Sequence, residues 1–181
     1  MRIVKNVDQR VAVFVDVQNM YYSARSLYDA KVNFGNLMSE AVAGRKLVRA
    51  VAYVITTGEE DEKEKAFFDA LYKAGFDIKQ KEIQIFKGGA KKGDWDVGIT
   101  IDAIAMAEKV DSIILFSGDG DYVPMAEYLK LAKGCSIEVV AFDQTCSHKL
   151  KAVADFYIDI ESDKGKFLIK GRGRGRLKAK K

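Results

Sequence analysis

Aspartates follow two of the most apolar stretches of this chain, and carboxylates in such positions can bind metal ions. VAVFV runs directly into Asp16, and SIILF runs into SGDGD, which contains Asp119 and Asp121. A further group, with Asp96 and Asp102, lies near an expected helix start. Carboxylates that lie close together repel one another and raise each other's pKa, and a divalent cation relieves this repulsion. Oxygen ligands of this kind favour Mg²⁺ or Mn²⁺, so the pattern predicts a metal site.

Each of these aspartates also has a plainer interpretation. An aspartate after a strand is often a turn former or a helix N-cap, and Asp96 or Asp121 alone would be interpreted in that way. Asp16 could likewise cap a helix that begins near Asn19. Two aspartates at the ends of buried strands, with a third group at a helix start, nevertheless favour a site over coincidence. Asp96 and Asp102 are six positions apart, about 120° around a helix axis, so they would not share one face. We rank Asp96 above Asp102 because a helix start can face the strand ends.

Other residues close to the aspartates could support the chemistry. Asn19 and Ser117 can hydrogen-bond to a carboxylate, to a water molecule or to a phosphate oxygen. The glycines on either side of Asp119 permit a tight turn and the close approach of a phosphate to the backbone. Tyr21 and Tyr22 could stack on a base, although the packing of a helix against the sheet is the default expectation for such aromatic residues.

The bulk composition excludes several classes of protein. The 181 residues fit one compact domain with a hydrophobic core. No apolar run approaches the roughly 18 residues that a transmembrane helix needs. Residues 1–10 lack the apolar core of a signal peptide, so we expect a cytoplasmic protein. His148, Cys135 and Cys146 are too few for a thiolate–imidazole zinc site, and catalysis must therefore rest on carboxylates, lysines or hydroxyls.

Positive charge is concentrated in residues 164–181, which contain nine Lys or Arg residues and no acid. The rest of the chain then has 21 basic and 26 acidic residues, a formal charge of about −5. We predict that residues 164–181 form a disordered basic tail that binds single-stranded RNA, as Arg-Gly segments do. The arginines of its GRGRGR repeat are Arg172, Arg174 and Arg176. Lys91 and Lys92 could also clamp an RNA backbone, or could equally belong to a solvated loop.

The elements that would position these residues alternate between strand and helix. Apolar runs predict strands at residues 11–15, 46–55, 76–86, 112–116, 136–141 and 156–160. Helical spacing predicts helices at residues 19–30, 36–43, 59–74, 94–109, 122–132 and 146–152, and residues 87–93 are predicted to form a loop. This alternation predicts an α/β fold with a mostly parallel sheet, in which ligands bind outside the carboxyl ends of the strands. The polar–apolar alternation of residues 76–86 indicates an exposed edge strand.

Four segments carry a resemblance to a known family. They are VFVDVQN (residues 13–19), KKGDWDVGITIDA (residues 91–103), IILFSGDGDYVPM (residues 113–125) and the closing pattern of residues 146–160. Together they resemble the NYN domain, in the LabA-like branch of the PIN-like nuclease superfamily, and SGDGDYVP is the most specific of them. The resemblance covers residues 11–160, and it implies a Rossmann-like three-layer α/β/α sandwich with a Mg²⁺- or Mn²⁺-dependent nuclease activity on RNA. Residues 1–163 would form this domain.

The resemblance also implies roles for particular positions. The matched positions are Asp16, Asn19, Asp96, Asp102, Ser117, Asp119 and Asp121. We expect Asp16, Asp96 and Asp119 to hold one or two cations, with Asp102 and Asp121 in supporting catalytic roles. The chemistry would be metal-assisted hydrolysis of RNA phosphodiester bonds.

Two other kinds of α/β enzyme are disfavoured. A phosphatase of the haloacid-dehalogenase type would have a second aspartate two residues after the first, where this chain has Gln18. A dinucleotide-binding fold would have a glycine-rich turn after the first strand, and DVQNMY offers none. The alternative that stays open is a non-catalytic RNA-binding or regulatory protein that retains the fold. A toxin-like nuclease with a neutralising partner is a variant of the first interpretation, and a homodimer stays open.

Overall fold

The computed structural model of this protein describes residues 5–56, 58, 62–85 and 91–170, with the side chains of residues 84, 85, 91 and 92 left out. The strands are β1 (Arg10–Asp16), β2 (Ala30–Val32), β3 (Lys46–Thr56), β4 (Asp77–Glu82), β5 (Gln84–Ile85), β6 (Lys91–Lys92), β7 (Ser112–Phe116), β8 (Ser136–Ala141), β9 (Phe156–Asp159) and β10 (Leu168–Lys170). The helices are α1 (Val17–Tyr28), α2 (Phe34–Val42), α3 (Glu62–Lys73), α4 (Asp96–Met106), α5 (Val123–Lys133), α6 (His148–Val153) and α7 (Lys164–Phe167).

Six strands form the central sheet, in the order β4-β3-β1-β7-β8-β9, and every neighbouring pair is parallel. The chain runs outward from β1 through β3 to β4 and then returns to β7 on the other side of β1. The order therefore reverses between β1 and β7, and open α/β sheets bind ligands at such a reversal. The expectation of a mostly parallel α/β sheet is confirmed.

Both faces of the sheet are covered, so the fold has three layers. Along β1, Val13 and Val15 belong to one core cluster and Phe14 to the other, because successive side chains of a strand point to opposite faces. Buried residues of α1, α2 and α3 pack in the first cluster, and those of α4, α5 and α6 in the second. Among the described residues, no helix is long and apolar enough to cross a membrane.

The folded part of the chain extends beyond the predicted start of the tail. Residues after 163 form α7 and β10, and β10 pairs antiparallel with β2. Phe167 is 3% exposed, and its carbonyl oxygen accepts a hydrogen bond of 2.8 Å from the Asn33 amide. The predicted boundary at residue 164 was therefore wrong, because an apolar pair within the basic segment, Phe167 and Leu168, packs in the core. Residues 171–181, with Arg172, Arg174 and Arg176, lie outside the described residues.

Smaller differences have local causes. The predicted loop at residues 87–93 was wrong for Lys91 and Lys92, which pair as β6 with β5. Helix α1 begins at Val17, two residues earlier than expected, because the Asp16 side chain caps it by accepting a hydrogen bond from the Asn19 amide. The strand predicted at an exposed edge is confirmed as β4, which ends the central sheet.

Candidate active site

Asp16 lies at the end of β1 and anchors the deepest part of the site. It is 9% exposed, and one oxygen accepts a hydrogen bond of 3.0 Å from the Asn19 amide. The other oxygen, Oδ2, lies 3.3 Å from the hydroxyl of Tyr122. Burial, together with the charges of Asp96 and Asp119, raises the pKa of Asp16 to about 6, despite the lowering effect of its hydrogen bonds.

Asp119 lies in the turn that follows β7, the neighbour of β1. Its backbone amide donates to Ser117 Oγ at 3.2 Å, and its own carboxylate accepts from the Asp121 amide at 3.0 Å. Asp119 thereby caps the short 3₁₀ helix Gly120–Tyr122. Asn19 fixes the same turn from the other side, because its Oδ1 accepts a hydrogen bond of 3.0 Å from the Gly118 amide. Asn19 and the buried Ser117, expected to contact substrate, therefore hold the turn in place.

Asp96 is the first residue of α4 and faces the turn after β7. Its Oδ1 accepts a hydrogen bond of 3.0 Å from the Tyr122 hydroxyl. Burial raises its pKa, and so do the charges of Asp119, Asp94 and Asp121, whereas the Tyr122 hydrogen bond lowers it. The preceding Trp95 fixes the helix start, because its Nε1 donates to the Val54 carbonyl oxygen at 3.0 Å.

Three of these carboxylates form a compact group. Asp96, Asp119 and Asp121 each place one carboxylate oxygen within 4.8 Å of the others. Asp16 lies behind this group, on the other side of the Tyr122 hydroxyl from Asp96. The structure thus brings together the three aspartates that the sequence singled out, but Asp121 takes the place in the compact group that we had expected for Asp16.

The donor set fits a hard divalent cation. All of its ligand atoms are carboxylate oxygens, which Mg²⁺ and Mn²⁺ prefer. Within the described part of the chain, neither Asp16, Asp96, Asp119 nor Asp121 forms an ion pair with a lysine or an arginine. Four neighbouring carboxylates that have no ion pair among the described side chains form a negative site that a metal ion would neutralise.

Asp102 lies apart from this group. Its carboxylate accepts a hydrogen bond from the Tyr53 hydroxyl and forms an ion pair with Lys79 on β4. These partners lower its pKa even though its partial burial acts in the opposite direction. Asp102 is therefore already neutralised within the chain, which leaves it poorly suited to binding a metal ion or assisting catalysis.

The glycines beside Asp119 are required for packing between loops. A Cβ atom at Gly118 would lie 3.0 Å from Cys146 Cα, and one at Gly120 would lie 3.0 Å from Ser147 Oγ. Neither glycine has a positive φ. The space beside these glycines, where we expected a phosphate, is therefore filled by the loop after β8. The Ser147 amide of that loop donates a hydrogen bond of 2.9 Å to the Gly118 carbonyl oxygen.

The remaining candidate residues fall into two groups. The backbone of Lys91 and Lys92 lies in β6, but their side chains, like the tail arginines, lie outside the described residues. Tyr21 and Tyr22 are 49% and 60% exposed, so the default expectation that they pack α1 against the sheet was wrong.

Sequence reasoning missed two contributors to the site. Tyr122 follows Asp121 in SGDGDYVP, and its place in that motif was the available signal. Burial and the charges of Asp16 and Asp96 raise the Tyr122 pKa far above its ordinary value. The hydroxyl therefore stays protonated and donates hydrogen bonds to these two carboxylates. Lys81, on the exposed edge strand, places Nζ 5.5 Å from the centre of the Trp95 ring and 2.9 Å from the Asp94 carbonyl oxygen.

Comparisons with known proteins agree with this geometry. The NYN domain family matches residues 10–161. The low amplitude and bright protein LabA of Synechococcus elongatus is 30% identical over 163 residues, which cover 83% of each chain. A protein of unknown function from Vibrio parahaemolyticus has a crystal structure that superposes with a TM-score of 0.82 at 34% identity. That match covers 92% of this chain and all of the Vibrio chain.

Proposed function

This chain belongs to the NYN domain family, and from that premise we propose that it is a metal-dependent ribonuclease that hydrolyses RNA phosphodiester bonds. The observation that carries the proposal is the compact group of Asp96, Asp119 and Asp121, with the buried Asp16 behind it. The group lies at the reversal of strand order, the position at which open α/β sheets bind their ligands.

The residues of the site would have separate roles in metal binding and proton transfer. Asp96, Asp119 and Asp121 would hold Mg²⁺ or Mn²⁺, and Tyr122 keeps Asp96 and Asp16 at a fixed separation. A bound cation would shield the phosphate charge and stabilise the leaving oxygen. Asp16, whose pKa is raised to about 6, is suited to accept the proton that the attacking water loses.

The substrate that we propose is single-stranded RNA. An acidic site attracts a polyanion poorly, so cations outside it must contribute to affinity. Lys81 lies beside the start of α4 with its side chain exposed, and Lys91, Lys92 and the arginines after residue 170 add positive charge along the sequence. The tail would add affinity and leave the chemical step unchanged.

A cleavage assay separates this proposal from a non-catalytic RNA-binding protein. Labelled single-stranded RNA is incubated with the full chain in Mn²⁺ or in EDTA, beside Asp119→Asn and Asp102→Asn. We expect the wild-type protein to cleave RNA in Mn²⁺ but not in EDTA. Asp119→Asn should lose this cleavage, and Asp102→Asn should retain it. Binding without cleavage by every variant would favour the non-catalytic alternative instead.

A tail deletion tests the separation of binding from chemistry. Removal of residues 171–181 takes away Arg172, Arg174 and Arg176 and leaves β10 in place. We expect weaker RNA binding with a flatter dependence on salt, and an unchanged rate at saturating RNA. A lost rate at saturation would show that the tail takes part in the chemical step.

A further inference from the structure

Two adjacent tyrosines on α1, Tyr21 and Tyr22, expose about half of their side chains or more. The ring centroids of Tyr21 and Tyr22 lie 5.6 Å apart with an interplanar angle of 68°. Among the described residues, neither hydroxyl makes a hydrogen bond, whereas those of Tyr28, Tyr53 and Tyr122 all do. The pair thus leaves aromatic surface in water, where a planar ligand could cover it.

The position of the pair follows from the helix. Helix α1 begins at the carboxyl edge of the sheet, where Asp16 caps it, and Tyr21 and Tyr22 lie roughly 8 Å along its axis from that cap. Val17, Met20 and Ala24 occupy the buried face, so the tyrosines lie on the outer face. Tyr22 also lies three positions after Asn19, on the side that contacts the turn after β7.

We propose that Tyr21 and Tyr22 form a stacking platform for a base of single-stranded RNA whose backbone crosses the carboxylate group. The inference rests on the proposed function and adds the contact that holds the substrate. Every base has a π-face, so stacking on tyrosine binds RNA with little sequence preference. Gln18 and Arg25 lie within one turn on the same outer face. The Gln18 amide can contact base edges, and the exposed Arg25 guanidinium, which forms an ion pair with Asp29, has further donors that can contact phosphate.

The positive charge of residues 171–181, rather than the charge of the site itself, favours a nucleic acid over a second copy of this chain as the occupant. The carboxylates next to the platform repel phosphate, and stacking provides affinity that does not depend on charge. Beyond the other end of α1, β10 pairs Lys170, the last described residue, with Ala30. In the sequence the basic residues 171–181 follow directly after Lys170. Eleven residues can span up to about 36 Å, and α1 is about 18 Å long, so their charge can reach the platform.

The test measures RNA binding and cleavage by the full chain. Binding of a short single-stranded oligoribonucleotide, and of an abasic oligomer with the same phosphates, is measured in EDTA so that no cleavage occurs. The variants are Tyr21→Ala/Tyr22→Ala, Tyr21→Phe/Tyr22→Phe and the control Tyr72→Ala. Tyr72 is 57% exposed near the end of α3, at the opposite edge of the sheet.

The alanine pair should weaken binding of the intact RNA about tenfold to a hundredfold, while the phenylalanine pair and Tyr72→Ala stay within about threefold of wild type. The abasic oligomer should bind wild type and the alanine pair equally. Equal binding of intact RNA by the alanine pair, or a change in oligomeric state on its introduction, would overturn the platform.

The two proposals fail separately. RNA binding that depends on the tyrosine rings, without cleavage in Mn²⁺, would contradict the ribonuclease proposal and support the platform. Cleavage with an unchanged KM in the alanine pair would support the ribonuclease proposal and contradict the platform.

Discussion

Buried carboxylates near the two edges of the sheet differ in whether a cation neutralises them and in the direction of their pKa shift. Near the amino edge, Glu138 on β8 is 1% exposed and forms ion pairs with Arg45 and Lys5, and these cations lower its pKa against the effect of burial. At the carboxyl edge, Asp16 is 9% exposed and has no cationic partner among the described residues. Its pKa is raised to about 6.

The difference separates a carboxylate that is neutralised within the fold from one that, under the proposed function, lies beside a bound metal ion. Glu138 has its countercharge inside the chain and also accepts a hydrogen bond of 2.8 Å from Ser112. Asp16 and its neighbours have no such ion pair among the described side chains, so their repulsion is a cost to the folded protein that a bound cation would relieve. An uncompensated cluster is therefore the stronger sign of function.

The largest effect should come from breaking the compensated pair. Arg45→Met leaves Glu138 buried with Lys5 as its remaining cation, and we expect a loss of about 3–5 kcal/mol in the free energy of unfolding. Urea unfolding at neutral pH measures it. Arg25→Met breaks an exposed ion pair with Asp29 and should cost less than about 1 kcal/mol. Equal losses in the two variants would contradict the account.

At the carboxyl edge of the sheet, we expect a substitution to increase the free energy of unfolding instead of lowering it. Asn at position 16 can still cap α1 and carries no charge, so Asp16→Asn should stabilise the metal-free protein at neutral pH by about 3 kcal/mol. Urea unfolding in EDTA tests this.

The pH dependence of the Asp16→Asn effect supplies its control. The folded pKa of about 6 lies above the ordinary value of 3.8, so the folded state keeps the Asp16 proton longer than the unfolded state does. The penalty of the charged form therefore grows as the pH rises from 3.8 to about 6, and the two proteins should be equally stable below that range. A difference that does not change with pH would contradict the assignment.

The packing of the turn that holds Asp119 should be the next most sensitive feature. Gly118→Ala places Cβ 3.0 Å from Cys146 Cα and 3.2 Å from the Thr145 carbonyl oxygen, and backbone atoms give way poorly. We expect a loss of about 1–2 kcal/mol, measured by thermal unfolding. Gly35→Ala in α2, where the nearest atoms lie at 3.6 Å, should be neutral or stabilising. If both substitutions were harmless, this turn would be less tightly packed than we describe.

The smallest effect should come from Asp102, a partly exposed carboxylate that already has its cation. Asp102→Asn removes the ion pair with Lys79, and we expect a change within about 1 kcal/mol in stability and an unchanged cleavage rate. Urea unfolding and the RNA cleavage assay measure the two quantities. A loss of cleavage as large as that of Asp119→Asn would restore Asp102 to the site.

The main features of the fold could be predicted from sequence because they depend on local composition and general rules of topology. The apolar runs before Asp16 and Asp119 are long enough to predict strands buried on both faces, and the alternation of elements predicts a parallel sheet. The strands β2 and β10 have three residues each, which is too short for a periodic signal, so their pairing could not be foreseen.

The site itself could be predicted only where sequence position fixes geometry. Asp16 and Asp119 follow the carboxyl ends of the neighbouring parallel strands β1 and β7. They therefore lie at the same edge of the sheet for any conformation of the more distant loops. The pairing of Asp102 with Lys79 depends on how α4 lies over an edge strand, and no pattern in the sequence encodes that contact. Tyr122 could not be assigned because its hydroxyl reaches two carboxylates only through a tertiary arrangement.

A titration with Mn²⁺ tests the central claim most directly, because a ligand that binds the folded state alone raises the temperature of unfolding. Thermal unfolding of the full chain is followed at increasing Mn²⁺ for wild type, Asp119→Asn and Asp102→Asn. We predict that Mn²⁺ raises Tm of wild type and of Asp102→Asn, and that Asp119→Asn responds far less. An unchanged wild-type Tm, or an equal rise in Asp119→Asn, would contradict a metal site at Asp96, Asp119 and Asp121.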